Sequence, residues 1–276
     1  MTLEAWLRAH PFLAPVARVH AQVESALSGV TMVAPPLPRW DDYVADYGDG
    51  IPLLHSADAA IDLLPAGEMT NAVIGALAAG PANDRVAADA RLLAARLGGG
   101  AGASQLVVDG LLGDDALPGA PTGLLRFLGW TATRRYLQPV LDAFAGWRDE
   151  DRWQRSQCPA CGAPPAMAQL IGADPGRKRF LACGCCGTRW RYRRTACPFC
   201  EGDEHRISVL AVDGEAGLRI DHCEVCRAYL KTYAGQGDEE LLLADWTSLH
   251  LDVLAQDRGL ARAASSLYSL EVGPVA

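Results

Sequence analysis

Every cysteine of the chain lies between Cys158 and Cys226, and eight of the nine form Cys-x-x-Cys pairs: Cys158/Cys161, Cys183/Cys186, Cys197/Cys200 and Cys223/Cys226. The ninth, Cys185, sits inside the second pair. A two-residue spacing lets both sulfurs face one ion while turn N–H groups donate to them. Two such knuckles supply four thiolates at ~2.3 Å around a tetrahedral centre. Taken consecutively, the pairs predict two sites, Cys158/Cys161 with Cys183/Cys186 and Cys197/Cys200 with Cys223/Cys226. Cys185 is then a spare thiol. The segments between knuckles are too short to bury a core of their own, so metal is expected to hold them in shape. Four protein thiolates leave no open position for Lewis-acid hydrolysis. Iron in such a cage could cycle by one electron; zinc could not. As disulfides, adjacent Cys-x-x-Cys pairs would instead close short strained loops.

Between the knuckles the pattern is that of short strands. Met167–Ile171, Arg179–Ala182 and Thr188–Arg194 belong to the first module, with Asp174-Pro175-Gly176 as a turn. Ile207–Ala211, Leu218–Asp221 and Arg227–Lys231 repeat this in the second, with Asp213-Gly214-Glu215 as the turn. The two modules form an internal repeat of about forty residues. In TRWRYRR, Trp190 and Tyr192 fall on one face and Arg189, Arg191 and Arg193 on the other. Such a strand can stack and grip single-stranded nucleic acid. It equally serves as an aromatic face closing a small core, with the arginines turned to water or to a partner.

Charge weighs against nucleic acid. The net charge is -8, and residues 151–235 carry 13 basic and 9 acidic side chains. Two divalent ions in tetrathiolate cages add about -2 each, which leaves the metallated module near neutral.

The first 150 residues read as helices. Residues 2–29 split at Pro11 and Pro15, Asp58–Leu64 is a short helix, and Gly67–Leu77 and Asn83–Leu97 follow. GGGAGAS (98–104) reads as linker, since it lacks the context of a phosphate loop. Leu106–Leu112 fits helix or strand, and residues 121–147 form the clearest long helix, with Pro139 interrupting its broad apolar face. Trp40–Tyr47 is acidic and aromatic, read as packing over the helical core. Asp41/Asp42 and Asp114/Asp115 look like solvated charge. After the last knuckle an amphipathic helix runs from Asp245 towards Arg262, followed by an extended SSLYSLEVGP. The start lacks a basic segment followed by an apolar core, and no uncharged apolar run approaches ~18 residues. With reduced cysteines, this predicts a cytoplasmic protein with no membrane insertion. No hydrolase elbow, His-Glu-x-x-His or phosphate loop is present, so no catalytic residue is assigned.

With these residues in view the chain resembles the FdhE family, accessory proteins of formate dehydrogenase. The likeness rests on CPACG at 158–162, CGCCGTRWRYRRTACPFC at 183–200, CEVCRAYLKTY at 223–233 and DWTSLHLDVLAQDRGLAR at 245–262. It implies an α+β fold: a mainly helical N-terminal domain (1–152), two rubredoxin-like, zinc-ribbon-like four-cysteine modules (153–194 and 195–240), and a C-terminal helix with an extended tail (241–276). It implies two ions, iron or zinc, held by Cys158, Cys161, Cys183, Cys186, Cys197, Cys200, Cys223 and Cys226. It further implies a non-enzymatic maturation factor that binds the dehydrogenase catalytic subunit in the cytoplasm before export. Arg189, Arg191 and Arg193 are the candidate partner-binding residues. The other readings are a rubredoxin-like redox protein acting on the dehydrogenase or its cofactor, and a nucleic-acid-binding zinc ribbon.

Overall fold

A small set of capping groups marks out the helices. Thr2 Oγ1 accepts the Ala5 N–H at 3.2 Å to open α1 (Leu3–Ala9), and a 3₁₀ turn over Pro11–Leu13 separates it from α2 (Ala14–Ser28). This is the split that the two prolines predict. α3 (Trp40–Asp49) ends on left-handed Gly50, and α4 spans Leu64–Ala78. Asp84 caps α5 (Arg85–Leu97), which ends on left-handed Gly98; α6 (Ala101–Leu112) and α7 (Thr122–Trp147) follow.

The strands are β1 (Pro165–Ile171), β2 (Lys178–Cys183), β3 (Arg189–Tyr192), β4 (Ile207–Ala211), β5 (Leu218–Cys223) and β6 (Tyr229–Tyr233). Two last helices, α8 (Glu239–Leu242) and α9 (Leu249–Asp257), flank a 3₁₀ turn over Asp245–Ser248. The structure is a computed structural model and describes residues 1–276 apart from 82–83, 99–100, 113–121, 174–175, 203–205, 216, 265 and 269–276.

Two sequence expectations change. Asp58–Leu64 is not a helix: Ser56 Oγ accepts the Asp58 and Ala59 N–H groups at 3.1 Å, and Asp62 Oδ1 takes the Leu64 N–H at 2.9 Å. These side chains hold the backbone in turns until Pro65, with its preset φ, starts α4. Residues 101–104 are helical rather than linker, so only Gly98 of the described part of 98–104 breaks the chain. α7 runs through Pro139 as one long helix, as expected. Asp114/Asp115, Asp174-Pro175 and most of the SSLYSLEVGP tail, for which the sequence gives expectations, lie outside the described residues.

The chain divides into two compact units. One comprises 1–13, 38–60 and 144–266; the other 14–37, 61–143 and 267–276. The second is helical, with Val73, Ile74, Ala90, Leu93, Val107 and Leu137 among its buried residues. Gly67 of α4 lies so close to α6 that a Cβ would come within 2.5 Å of the Ser104 carbonyl oxygen.

The first unit carries the cysteines on one six-stranded sheet of order β3-β2-β1-β6-β5-β4. Each module is an antiparallel three-stranded ribbon. The ribbons join through a parallel pairing of β1 with β6, Met167 opposite Lys231 and Gln169 opposite Tyr233. The first strand of one repeat therefore lies beside the third strand of the other. On the outer edge of β3, the Arg191 N–H donates to Glu150 Oε2 at 2.9 Å and Arg148 Nη2 donates to the Arg189 carbonyl. α3 packs in this unit too: Tyr47 stacks on Trp153 at 5.3 Å and Trp40 on Trp147 at 5.3 Å.

Candidate metal centres

All four knuckles use one backbone device. The N–H of the first cysteine bonds to the carbonyl five residues on: Cys158 to Ala163 (2.9 Å), Cys183 to Thr188 (2.9 Å), Cys197 to Gly202 (3.2 Å) and Cys223 to Ala228 (2.9 Å). The residue four places on is left-handed in every case: Gly162 (φ 76°), Gly187 (78°), Glu201 (56°) and Arg227 (62°). The turn thereby points both sulfurs inward. The first ribbon meets this requirement with glycine; the second imposes it on side chains that resist it.

Each pair of knuckles closes on itself. Cys158 Sγ lies 3.5 Å from Cys186 Sγ and Cys161 Sγ 3.4 Å from Cys183 Sγ. In the second cluster Cys197 Sγ is 3.7 Å from Cys226 Sγ and Cys200 Sγ 3.8 Å from Cys223 Sγ. The four ligand atoms in each cluster all lie within 4.8 Å of one another. Sulfurs on a regular tetrahedron at ~2.3 Å from its centre are about 3.8 Å apart, so both clusters have the size of a four-thiolate metal cage. All nine cysteines are free of disulfides, and Cys185, though buried, is outside the first cluster. Each cluster could hold one metal ion.

The two cages differ in access. The sulfurs of the first are all buried, whereas Cys200 is exposed and Cys226 half-buried in the second. Burial pushes the Cys158 thiol up, hydrogen bonds among the cluster thiols do the same to Cys161, and burial pushes Cys197 up to about 12. The first cage is braced from residues 52–55: Leu53 and Leu54 N–H groups donate to the Pro159 and Ala160 carbonyls at 2.9 and 2.8 Å, and His55 Nε2 lies 3.2 Å from the Cys161 carbonyl.

On β3, Trp190 and Tyr192 are buried, Arg189 is exposed and Arg191 half-buried, and Arg193, just past the strand, is exposed. Arg189 Nη1 donates to Gln169 Oε1 at 2.9 Å, Arg191 pairs with Asp151, and Arg193 lies over the Tyr192 ring.

Residues 157–194, covering the first cage and β1 to β3, match the family model of the FdhE central domain. An FdhE homolog of Pseudomonas aeruginosa is 35% identical over 157 residues, 53% of this chain and 50% of that one. An FdhE homolog of Aquifex aeolicus is 32% identical over 133 residues, 46% of this chain and 47% of that one. The protein FdhE of Escherichia coli O9:H4 is 33% identical over 140 residues, 49% and 44%. The chain is similar to FdhE proteins. The matched stretch spans about half the length of these relatives. The crystal structure of the FdhE protein from Pseudomonas aeruginosa aligns with 95% of this chain and 89% of its own, at a TM-score of 0.57 and 23% identity. That likeness carries the fold. The expected α+β class is observed, with helices first, two four-cysteine clusters and a C-terminal helix.

The motifs behind the FdhE likeness also place a charge cluster that spacing alone does not disclose. Lys231 Nζ, 1% exposed, lies 2.7 Å from Asp245 Oδ1 and 2.8 Å from Asp252 Oδ2. Arg262 reaches Asp245 Oδ1 at 2.5 Å and Asp252 Oδ2 at 2.8 Å, and Tyr229 donates to Asp252 Oδ1 at 2.7 Å. Two cations and two carboxylates thus tie α9 to β6 out of water. The available signal was a lysine inside an apolar strand, which demands buried carboxylates.

Proposed function

We propose that this chain is a non-enzymatic accessory factor for the maturation of formate dehydrogenase, binding the catalytic subunit in the cytoplasm before export. The observation that carries this reading is a pair of closed four-thiol cages on one sheet, in a region similar to FdhE proteins. Cys158, Cys161, Cys183 and Cys186 are proposed to hold one iron or zinc ion, and Cys197, Cys200, Cys223 and Cys226 the other. The donor set suits either metal, and the shortest sulfur separations, 3.4 to 3.8 Å, are of the size a tetrahedral cage has. A bound ion supplies cross-linking and, if it is iron, a one-electron couple. The chain's own part is to present a surface. Closed coordination offers no position for a substrate, which supports a binding role over catalysis.

The exposed side of β3, with Arg189, Arg191 and Arg193, is the proposed site of charge complementarity to the partner. No helix among the described residues is long and apolar enough to cross a membrane. Capture of the dehydrogenase catalytic subunit from a native extract tests the reading. Wild type is expected to recover it, and the Cys223→Ala/Cys226→Ala variant is expected to recover little. Equal recovery by both ends the metal-dependent version.

The exposure of Cys200 favours a second reading, redox action on the dehydrogenase or its cofactor. Metal analysis with voltammetry separates the two: stoichiometric zinc and no redox wave leaves only the accessory role.

A further inference from the structure

His10, Glu215 and His250 come from three distant parts of the chain and converge in the first unit. His10 follows α1, Glu215 sits in the turn between β4 and β5, and His250 lies in the first turn of α9. His10 Nε2 is 3.2 Å and His250 Nε2 2.8 Å from the same carboxylate oxygen, Glu215 Oε1. The side chains are 10%, 16% and 9% exposed for His10, His250 and Glu215. The three ligand atoms lie within 4.8 Å of one another, in a cluster separate from both cysteine cages.

With both imidazoles neutral, the hydrogen bonding of this group does not close. His10 Nδ1 lies 3.0 Å from the Trp6 carbonyl, which can only accept, so Nδ1 carries a proton. In a neutral ring Nε2 then presents a lone pair, and it faces an acceptor-only carboxylate. His250 can donate through Nε2, but its buried Nδ1 then has no partner among the described residues. Glu215 Oε2 is likewise buried without a hydrogen-bond partner among them. A nine-tenths buried carboxylate with one oxygen unpaired, beside an imidazole lone pair, is an arrangement that a positive charge between the ligand atoms resolves.

We propose that His10, Glu215 and His250 form a third, cysteine-free site for a first-row divalent metal ion. Two imidazoles and a carboxylate suit zinc or iron(II), and three protein ligands leave an open position for water. At bonds of about 2.1 Å, neighbouring ligands stand about 3.0–3.4 Å apart, so the two nitrogen–oxygen separations need only small shifts. The rings are already held: His10 stacks on Trp6 at 3.9 Å between centroids, and Phe12 meets both imidazoles edge-on at 5.7 and 5.4 Å. An ion here would bind the N-terminal helix to the second ribbon and to α9. The proposal does not depend on the maturation role or on occupancy of the cysteine cages.

The full chain loaded with cadmium-113 tests it by NMR. A resonance in the nitrogen/oxygen range is expected, apart from any thiolate resonances, and it is lost in Glu215→Gln and in His10→Phe, which keeps the stacking on Trp6. Failure of the cysteine cages would remove the thiolate resonances and leave this one. Absence of the resonance in wild type with cadmium in excess, or its survival in both variants, overturns the proposal. Should a variant fail to fold, wild type decides alone: the Nε2 nitrogens of His10 and His250 shift together when zinc is added, or the site is a proton-bridged cluster and the proposal fails.

Discussion

Lys231 Nζ and Asp252 Oδ2 stand 2.8 Å apart with 1% and 3% of their side chains exposed. The pair joins the last strand of the sheet to α9, and Asp245 and Arg262 complete a neutral buried set. Because the charges balance, the loss of one member matters more than the strength of any single contact.

Lys231→Met therefore leaves two buried carboxylates with Arg262 alone. Removal of one partner from a buried set of this kind costs about 3–5 kcal/mol. Urea unfolding followed by tryptophan fluorescence should show a loss of that order. A loss under about 1 kcal/mol would mean that water reaches these carboxylates.

Acid should release the same set. Burial by itself would raise the Asp245 carboxyl, but Lys231 and Arg262 beside it reverse this and hold it down at about 2. In the unfolded chain the group sits near 3.9. A depressed folded value gives stability that is complete above about pH 4 and is lost as pH falls from there towards 2. The change is worth about 2 kcal/mol. Urea midpoints at pH 5 and pH 3 check the sign; an unchanged midpoint contradicts it.

Metal uptake by the cysteine cages should release protons. Cys158, Cys161 and Cys197 are held above the ordinary thiol value, so at neutral pH they keep their protons until an ion replaces them. Proton release in weakly buffered solution is the expected readout, with affinity falling as pH is lowered. Cys158→Ser in the closed cage should lower the melting temperature further than Cys200→Ser at the exposed corner.

The two ribbons should answer oppositely to a change at the left-handed position of the knuckle. Glu201→Gly removes an unfavourable backbone conformation and should raise stability by up to about 1 kcal/mol, offset in part by loss of the exposed Ser156–Glu201 contact. Gly162→Ala should cost more than about 1 kcal/mol, because φ is 76° and the new Cβ would sit 3.3 Å from His55 and Pro52. Thermal melts of the metal-loaded variants give both signs.

These effects divide along what a sequence makes visible. Knuckle spacing and two-residue alternation identified the four-cysteine groups and the strands, because both are local rules. Trp190 and Tyr192 are buried and Arg189 and Arg193 exposed, as that alternation requires. The parallel joining of β1 to β6 was not legible, since nothing in either strand names a neighbour so far along the chain. Trp40–Tyr47 packs against Phe144 and Trp147 at the end of α7, as its aromatic character predicts, and Tyr47 also stacks on Trp153 just before the first knuckle, which spacing did not disclose. His10 and His250 gave no signal for the same reason. Each is unremarkable in its own stretch of sequence and meets Glu215 only after the chain has folded.

The head-to-tail joining of the ribbons carries one more consequence. A junction between the first strand of one repeat and the third strand of another can be made again wherever those strands are left outermost. Here β3 is a third strand and β4 a first strand, at opposite borders of the sheet. Copies of the molecule could in principle add to each other by the rule that built the sheet, without closing into a ring. Arg148 and Glu150 occupy the outward backbone groups of Arg189 and Arg191 that such growth would use. Two side chains ahead of the first knuckle thus act as a terminator, confining a self-propagating pattern to two repeats.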